Sequence, residues 1–371
     1  MRKLCFPLLF LCFFLAVLTG CDKTDSAPQS AKKSQDVLIV FIPKVTGNAF
    51  FEAANQGVQV YAKKYGFTVA YRGSPEAVIG HQKKIIEEAI AQKVDAICIS
   101  SLDAKALDDL LKQARKAGIA VVTWDSDVSP DARTVMVSQG MPTQLGKMLV
   151  EMGAKSLAAR GINPGRDEVT YVWHYSQASV TDQNSWQAAG EEYIRNFYPK
   201  WKNVAPQNYY SEQNPEKAVE VGKQIFAEHP GINLIICNDS TSLPGQAEAA
   251  KQLGLGAADV TITGFASPNP MRYYCKQGIV ERWGLWDCGT QGALGCYLAY
   301  YLATGNSLAV GDRIDVPDIG TVEVMPNSVL DAQARNAPSG NSPTGNSQGS
   351  GVVLLPHRLE FTKDNVDDYA F

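Results

Sequence analysis

The segment VLIVFIPKVTGNAFFEAANQGVQVYAKKYGFTVAYRG, residues 37–73, decides the fold class. Its first seven residues form an unbroken apolar run rich in β-branched side chains, which is typical of a strand buried on both faces. Residues 50–65 follow with the spacing of an amphipathic helix and end at Gly66, and FTVAYRG (67–73) is the next strand. A strand, a helix and a second strand at this rhythm indicate a βαβ unit and therefore a parallel sheet.

The same rhythm continues through the chain in two similar series, each of about 120–150 residues, which is an ordinary domain size. It predicts an α/β fold with two similar doubly wound parallel-sheet domains. The further strands are predicted at 94–101, 119–127, 134–139, 168–175, 207–212, 232–239, 260–267 and 280–287. The further helices are predicted at about 78–92, 104–117, 142–160, 182–197, 215–229, 243–253, 270–277 and 289–304.

The N-terminus predicts export. Arg2 and Lys3 precede the apolar run 4–17, which ends in Leu-Thr-Gly-Cys at 18–21. A basic end, a short apolar core and small residues at the exit are typical of a secretory signal. A transmembrane anchor is the alternative, but the run is shorter than the roughly 20 apolar residues that a spanning helix needs.

The Leu-Thr-Gly-Cys motif resembles the lipobox of bacterial lipoproteins, in which cleavage leaves the cysteine as a lipidated N-terminus. The resemblance implies a signal peptide at 1–20, lipidation of Cys21 and a flexible tether at 21–36, whose polar residues lack periodicity. We therefore expect an exported protein anchored by lipid to a bacterial membrane, facing the periplasm or the cell exterior.

Composition narrows the function further. Hydrophobic residues make up 45% of the 371 residues and charged residues 19%, which is typical of globular domains. Loss of Arg2 and Lys3 with the signal changes the net charge from -4 to -6, and a mildly acidic chain argues against nucleic acid as a partner.

The cysteines after Cys21 are odd in number and widely spaced, so they predict no disulfide framework. Cys98 and Cys237 lie in apolar runs as expected of buried thiols, whereas a bridge among Cys275, Cys288 and Cys296 stays open.

Polar and aromatic residues recur where the predicted strands end, and ligands of open parallel sheets bind beyond the carboxyl ends of the strands. Carboxylates, amides and lysine hydrogen-bond to hydroxyls, and aromatic rings cover the apolar faces of a sugar. Each residue also has a structural alternative, since Asp and Asn cap helices and Trp packs in cores; Asp182 fits an N-cap well. Their recurrence predicts a site for a neutral polyol between two domains that close by a hinge. The residues are Lys44, Asn48, Phe50, Phe51, Trp124, Asp125, Asp127, Asp182, Gln183, Asn184, Asn238, Asp239, Ser240, Ser267, Asn269, Trp286, Asp287 and Gln291.

The sequence carries no motif of catalysis or of metal binding. It lacks G-x-S-x-G, H-E-x-x-H and the Walker A pattern, and none of its four histidines pairs with Cys or a carboxylate at a metal-ligand spacing. We therefore expect a protein that is not an enzyme and that has no cofactor and no metal. An exported sugar hydrolase is the alternative, because Asp125 with Asp127 or Asp182 suits an acid–base pair.

Several long stretches, in order from residue 41 to 371, resemble one family. They are FIPKVTGNAFF, VVTWDSD, SQGMPTQLGKMLVEM, SVTDQNSW, GFASPNPMR, GLWDCGTQG and VVLLPHRLEFTKDN, with DYAF at the end. In them the chain is similar to the periplasmic sugar-binding proteins of ABC importers, in the ribose-binding (type I) branch, and within it to the Lsr-type autoinducer-2 receptors.

This resemblance implies a three-strand hinge, crossed near 139, 287 and 312. It divides the chain into an N-terminal domain, 37–139 plus 288–312, and a C-terminal domain, 140–287 plus 313–371. Within the latter, the low-complexity residues 336–350 predict a disordered insertion. It also implies a monomer that delivers its ligand to the permease and ATPase subunits of an importer. A sensor coupled to chemotaxis or signalling stays as an alternative, whereas the signal peptide and the missing DNA-binding headpiece exclude a repressor.

The family's ligand residues carry over as Lys44, Asp125, Asp182 and Gln183, while Asn238 and Ser240 stand where the family has proline and alanine. Because this departure changes the pocket, the ligand stays open between autoinducer-2 and a simple sugar such as rhamnose or a pentose. The predicted ligand site is completed by Phe50, Phe51, Trp286, Asp287 and Gln291.

Overall fold

A computed structural model describes Met1 and residues 36–205, 207–331 and 350–371. The predicted signal peptide, Cys21, the tether up to residue 35 and the predicted insertion up to residue 349 lie outside the described residues, apart from Met1. Among the residues it describes, no helix is both long and apolar enough to cross a lipid bilayer.

The first lobe is built on a six-stranded parallel sheet with helices on both faces. Alternate residues of its central strands join two separate apolar clusters: Phe41 packs with helix α1 (Ala49–Tyr65) and helix α9 (Cys288–Ala303), while Val40 packs with helices α2 (Ile79–Ala91) and α3 (Asp108–Lys116). Burial on both faces explains why these strands read as continuous apolar runs. In spatial order the strands are β14 (Gly351–Leu354), β5 (Val135–Ser138), β4 (Ala120–Trp124), β3 (Ala96–Ile99), β1 (Leu38–Ile42) and β2 (Thr68–Tyr71).

The second lobe repeats the design around a smaller parallel sheet. Its strands are β10 (Thr261–Gly264), β9 (Leu234–Cys237), β6 (Val169–Tyr175), β7 (Trp201–Asn203) and β8 (Tyr209–Tyr210), of which the last two both pair with β6. Its helices are α4 (Pro142–Ala159), α5 (Thr181–Phe197), α6 (Pro215–Glu228), α7 (Ser242–Gln252) and α8 (Pro268–Lys276). Two antiparallel pairs complete the chain: β11 (Trp283–Leu285) with β15 (Leu359–Phe361), and β12 (Arg313–Val316) with β13 (Gly320–Glu323).

The predicted α/β fold with two parallel sheets is confirmed. The edge of the second sheet differs in detail, because the predicted strand 207–212 is reduced to Tyr209–Tyr210 and a further strand, Trp201–Asn203, precedes it. The cysteines of the described residues are all buried and unbridged, so the bridge left open among Cys275, Cys288 and Cys296 is not formed.

The third crossing between the lobes lies at residues 355–358, and the predicted crossing near 312 is wrong. Strand β14 pairs in parallel with β5 of the first sheet, and Met325 bridges to Val352. The β12–β13 hairpin is held to α1, since the Tyr61 hydroxyl donates to the Pro317 carbonyl and Lys64 pairs with Asp318. Residues 313–331 and 350–354 therefore belong with the first lobe, and among the described residues 359–371 return to the second.

Helices α1 and α9 cross so closely that Gly57 cannot carry a side chain. A Cβ built on Gly57 would lie 2.5 Å from the Cα of Gly289, which is backbone and cannot move aside. This crossing packs the middle of α1 against the first turn of α9.

We expect Gly57→Ala to lower the free energy of unfolding by roughly 1–3 kcal/mol, because overpacking forces the two helix backbones apart. Gly80→Ala is the matched control, since a Cβ at Gly80 in α2 meets nothing within 4 Å and should be neutral or stabilising by about 0.5–1 kcal/mol. Urea unfolding of both variants measures the difference. Equal stabilities would contradict the close crossing.

Candidate functional site

The ends of β1 and β4 place a buried ion pair at the edge of the first sheet. Lys44 follows β1 and Asp125 follows β4, and the Lys44 Nζ lies 3.1 Å from the Asp125 Oδ2. The Ser100 hydroxyl donates to the same oxygen at 2.6 Å. Asp125 adopts a left-handed backbone with φ of 59°, a conformation that Asp tolerates better than most residues. The turn after β4 therefore places the Asp125 carboxylate against the Lys44 ammonium.

The first turn of α5 brings a second carboxylate to Lys44 from the other lobe. The Asp182 Oδ2 lies 4.0 Å from the Lys44 Nζ, and the Ser126 hydroxyl donates to the Asp182 Oδ1. Asp182 is not the N-cap of α5, a position that Val180 holds, so the helix-capping alternative does not account for it. The adjacent Gln183 is buried and accepts from the Ser176 backbone N–H and hydroxyl.

The loop after β9 lies beside Lys44 and Asp182. The Asn238 side-chain amide donates to the Gln183 carbonyl at 3.1 Å. The Asp239 Oδ1 accepts from the backbone N–H groups of Thr241 and Ser242, at 2.6 and 3.0 Å, and so satisfies two N–H groups at the start of α7. The Asn48 side-chain amide donates across the cleft to the Thr241 hydroxyl at 3.1 Å. With Asp182 and Ser126, this contact joins the two lobes in a closed arrangement.

Aromatic rings form the opposite wall. Trp286 makes edge contacts with Phe50 at 5.8 Å, Trp186 at 5.8 Å and Phe265 at 5.5 Å between ring centroids, and Phe50 packs on Phe51. The rings come from both lobes, which gives a sugar ring an apolar face to lie against.

These groups line one cavity between the lobes, about 30 Å³ in volume. Small-molecule pockets run from roughly 300 Å³ upwards, so the lobes must separate to admit a sugar. The lining residues are Lys44, Asn48, Phe50, Phe51, Asp125, Asp182, Gln183, Trp186, Gln213, Asn238, Asp239, Ser240, Phe265, Leu285 and Trp286.

A larger recess, about 720 Å³ in volume, lies beside this cavity and shares Asp125, Asp182 and Trp186 with it. Its lining includes the buried Arg133, but that guanidinium already pairs with Asp127 and donates to Asn327 and to the Gly351 carbonyl. The smaller cavity is the better candidate for a ligand site, because buried acceptors of Asp182, Asn238 and Asp239 that lack a donor converge there on Lys44 of the first lobe.

Carboxylates outnumber ammonium groups among the described residues that line the cavity. Burial acts to lower the pKa of Lys44, but the charges of Asp125 and Asp182 outweigh it and the pKa is raised. Burial, with help from the charge of Asp125, raises the pKa of Asp182 to about 6, against the opposing effects of Lys44 and Ser126. The Asp182 Oδ2, Asn238 Oδ1 and Asp239 Oδ2 are buried and accept no hydrogen bond. The site therefore offers acceptors that suit the hydroxyl groups of a ligand.

The structure brings nine of the eleven residues of the predicted ligand site to this cavity, but not Asp287 or Gln291. Asp287 is exposed and caps α9, because its Oδ1 accepts from the Thr290 N–H at 2.9 Å. Gln291 is buried behind the aromatic wall, where it accepts from the Trp286 indole and donates to the Val137 carbonyl. Asp287 follows the end of β11 by two residues and Gln291 lies in the first turn of α9, so their places in the chain resemble those of ligand contacts.

Six lining residues lie outside the predicted ligand site. Asn48 and Asp239 are among the strand-end candidates, whereas Trp186, Gln213, Phe265 and Leu285 are not among the predicted residues. The position of Trp186 can be inferred from the sequence, because it lies four residues after Asp182 and therefore on the same face of α5. Phe265 directly follows β10, as strand-end residues of the site do. Gln213 lies in a loop with φ of 57°, and no pattern in the sequence marks it.

Comparison with known proteins supports this picture. Residues 39–307 match the sequence profile of the periplasmic binding protein domain family. The chain is similar to the structure of LsrB from Clostridium saccharobutylicum in complex with AI-2, with 58% identity, a TM-score of 0.85 and coverage of 90% of this chain and 100% of that one. It is 25% identical over 303 residues to the D-ribose/D-allose-binding protein of Pseudomonas aeruginosa, covering 78% of this chain and 90% of that one. A solute-binding protein from Clostridium phytofermentas with bound L-rhamnose shares the fold, at 22% identity and a TM-score of 0.78, over 90% of this chain and 98% of that one.

The raised pKa of Asp182 predicts a pH-dependent stability. A carboxyl that holds its proton more tightly in the folded than in the unfolded protein stabilises fully below its ordinary pKa of 3.8 and loses this effect as the pH rises through about 6. Between about pH 4 and pH 7 we expect the ligand-free wild type to lose roughly 1–3 kcal/mol of unfolding free energy relative to Asp182→Asn.

Urea unfolding at several pH values measures this difference. The matched control is Asp287→Asn, which replaces an exposed carboxylate and should follow the wild type at each pH. If the stabilities of wild type and Asp182→Asn run parallel over the whole range, Asp182 titrates as an ordinary carboxyl and the prediction is wrong.

Proposed function

We propose that this chain, which belongs to the periplasmic binding protein domain family, is the substrate-binding protein of an ABC importer and that its ligand is autoinducer-2. The observation that carries the proposal is the convergence of Lys44 and Asp125 from one lobe with Asp182 and Gln183 from the other on one cavity. The 58% identity to LsrB, a protein whose structure contains AI-2, supports the choice of ligand.

Recognition follows from the groups in the cavity. The Lys44 ammonium donates to ligand oxygens, while the carboxylates of Asp125 and Asp182 accept from ligand hydroxyls. The ring of the ligand lies against Phe50, Phe51 and Trp286. No charge on the ligand is required, because the lysine is already balanced by carboxylates within 4.0 Å.

Binding and closure are one event in this mechanism. The lobes open to admit the ligand, and hydrogen bonds from both lobes then draw them together around it. The closed form is the one that docks on the membrane subunits of the importer. No bond of the ligand is broken.

Asn238 and Ser240 decide between autoinducer-2 and another sugar. The Asn238 amide is committed to the Gln183 carbonyl, so it positions α5, and its Oδ1 stays free to accept from a ligand. Both residues line the cavity, and a pocket with an additional acceptor at this point would also suit a pentose or rhamnose.

Isothermal titration of the purified full chain, kept in detergent micelles and stripped of ligand, separates these ligands. We expect micromolar or tighter binding of the autoinducer-2 precursor and at least 100-fold weaker binding of rhamnose and ribose, roughly 3 kcal/mol less. Tight binding of a common sugar in place of the precursor would make the chain a nutrient receptor. Recovery of an altered ligand after incubation would instead indicate the hydrolase.

We further propose that the chain is exported and anchored by lipid at Cys21, on the strength of the Leu-Thr-Gly-Cys motif. In cells fed a radiolabelled fatty acid, the wild type should carry label and sediment with membranes, and Cys21→Ser should lose the label. Label that persists in Cys21→Ser would place the lipid elsewhere or contradict the anchor.

A further inference from the structure

We infer that Asp239 is a direct ligand contact, whose Oδ2 accepts a hydrogen bond from a hydroxyl of the bound ligand. The inference deepens the proposed function and rests on it in one respect, namely that the cavity binds a polyol. Asp239 is one of the strand-end candidates but is not among the residues carried over from the family or added to complete the ligand site, and the inference assigns the contact to one atom of it.

The two oxygens of the Asp239 carboxylate have different surroundings. The Oδ1 accepts both N–H groups at the start of α7, from Thr241 and Ser242, and these bonds fix the orientation of the side chain. The Oδ2 is buried, accepts no hydrogen bond and belongs to a residue that lines the cavity and is only 6% exposed. One oxygen thus holds the helix while the other is available to a ligand.

Helix capping alone does not explain a charged residue here. Asn and Ser cap helices about as well as Asp, without the cost of burying a charge. Burial raises the pKa of Asp239, which the N–H groups of Ser242 and Thr241 only partly offset. Burial of the Asp239 charge is therefore costly in the ligand-free protein. A hydroxyl of the bound ligand that donates to the free Oδ2 would explain why a carboxylate is present at this position.

The neighbouring atoms define the class of ligand. The Asp182 Oδ2 and Asn238 Oδ1 are also buried without a donor, so three acceptors from the second lobe meet one cavity. Lys44 is the one cationic side chain among the described residues that line it. The arrangement fits a neutral molecule with at least three hydroxyl donors and disfavours phosphate esters, because three carboxylates outnumber one ammonium.

The variant Asp239→Asn separates the two roles. Its amide oxygen retains the cap of α7, while its NH₂ group replaces the free acceptor by a donor. Asp287→Asn is the matched control, because the Asp287 carboxylate also accepts from a backbone N–H at a helix start, that of Thr290 in α9, but lies outside the cavity. Asp239→Ser is the second variant, since its hydroxyl caps α7 and leaves no second oxygen.

Each protein is titrated calorimetrically, as the full chain in micelles, with the autoinducer-2 precursor, rhamnose and ribose. For whichever of these the wild type binds, we expect Asp239→Asn to weaken affinity roughly 10- to 150-fold and Asp287→Asn to change it less than twofold. Ligand-free Asp239→Asn should unfold at the wild-type temperature or above it, since a buried charge is removed, whereas a purely structural role would lower that temperature.

The outcomes separate this inference from the proposed function. Unchanged affinity of both Asp239 variants for the precursor overturns the contact and leaves the function intact. Tight binding of rhamnose or ribose alone, weakened in Asp239→Asn, overturns autoinducer-2 as the ligand and supports the contact. If the wild type binds none of the three, the proposed function fails and the contact falls with it. If the ligand-free Asp239 variants are destabilised and bind normally once folded, the contact alone is wrong.

Discussion

The buried ammonium of Lys44 is the constraint on which the rest of the site depends. A buried ammonium is costly unless carboxylates and hydrogen bonds compensate for it. Asp125 supplies the compensation from its own lobe at 3.1 Å, and Asp182 supplies it from the other lobe at 4.0 Å. The same pairing that keeps the lysine charged therefore also favours closure of the two lobes. A ligand with hydroxyl groups can enter this network because it donates to the carboxylates and accepts from the lysine.

The arrangement of the parallel strands brings Lys44, Asp125 and Asp182 together. Parallel strands end at one edge of each sheet, so residues that follow different strands meet although they are far apart in the chain. Behind the aromatic wall, Gln291 joins the Trp286 indole to the Val137 carbonyl of β5, close to the first crossing between the lobes. The wall is thus tied to the hinge region by hydrogen bonds. The close crossing at Gly57 supports the same corner of the first lobe.

Asp239 illustrates how one side chain serves both fold and site. Its Oδ1 satisfies the N–H groups of α7, a local requirement of any helix start. Its Oδ2 accepts no hydrogen bond and belongs to a residue that lines the cavity, as do acceptors of Asp182 and Asn238 that also lack a hydrogen-bond donor. Buried acceptors without donors are rare in native proteins, and their clustering at one cavity is what a polyol site requires before the polyol is bound.

The sequence by itself determined the fold class, the two series of βαβ units and most of the cavity, because buried parallel strands leave continuous apolar runs and the residues after them share one edge. Nine predicted residues reach the cavity for this reason. Only the tertiary structure decided that β14 joins the first sheet, since an apolar run does not say which sheet edge it will pair with. It also decided between capping and binding: Asp182, Asp239 and Asp287 all lie at helix starts, yet only the first two face the cavity. That difference depends on how the lobes are oriented about the hinge, which is a long-range property that local patterns do not encode.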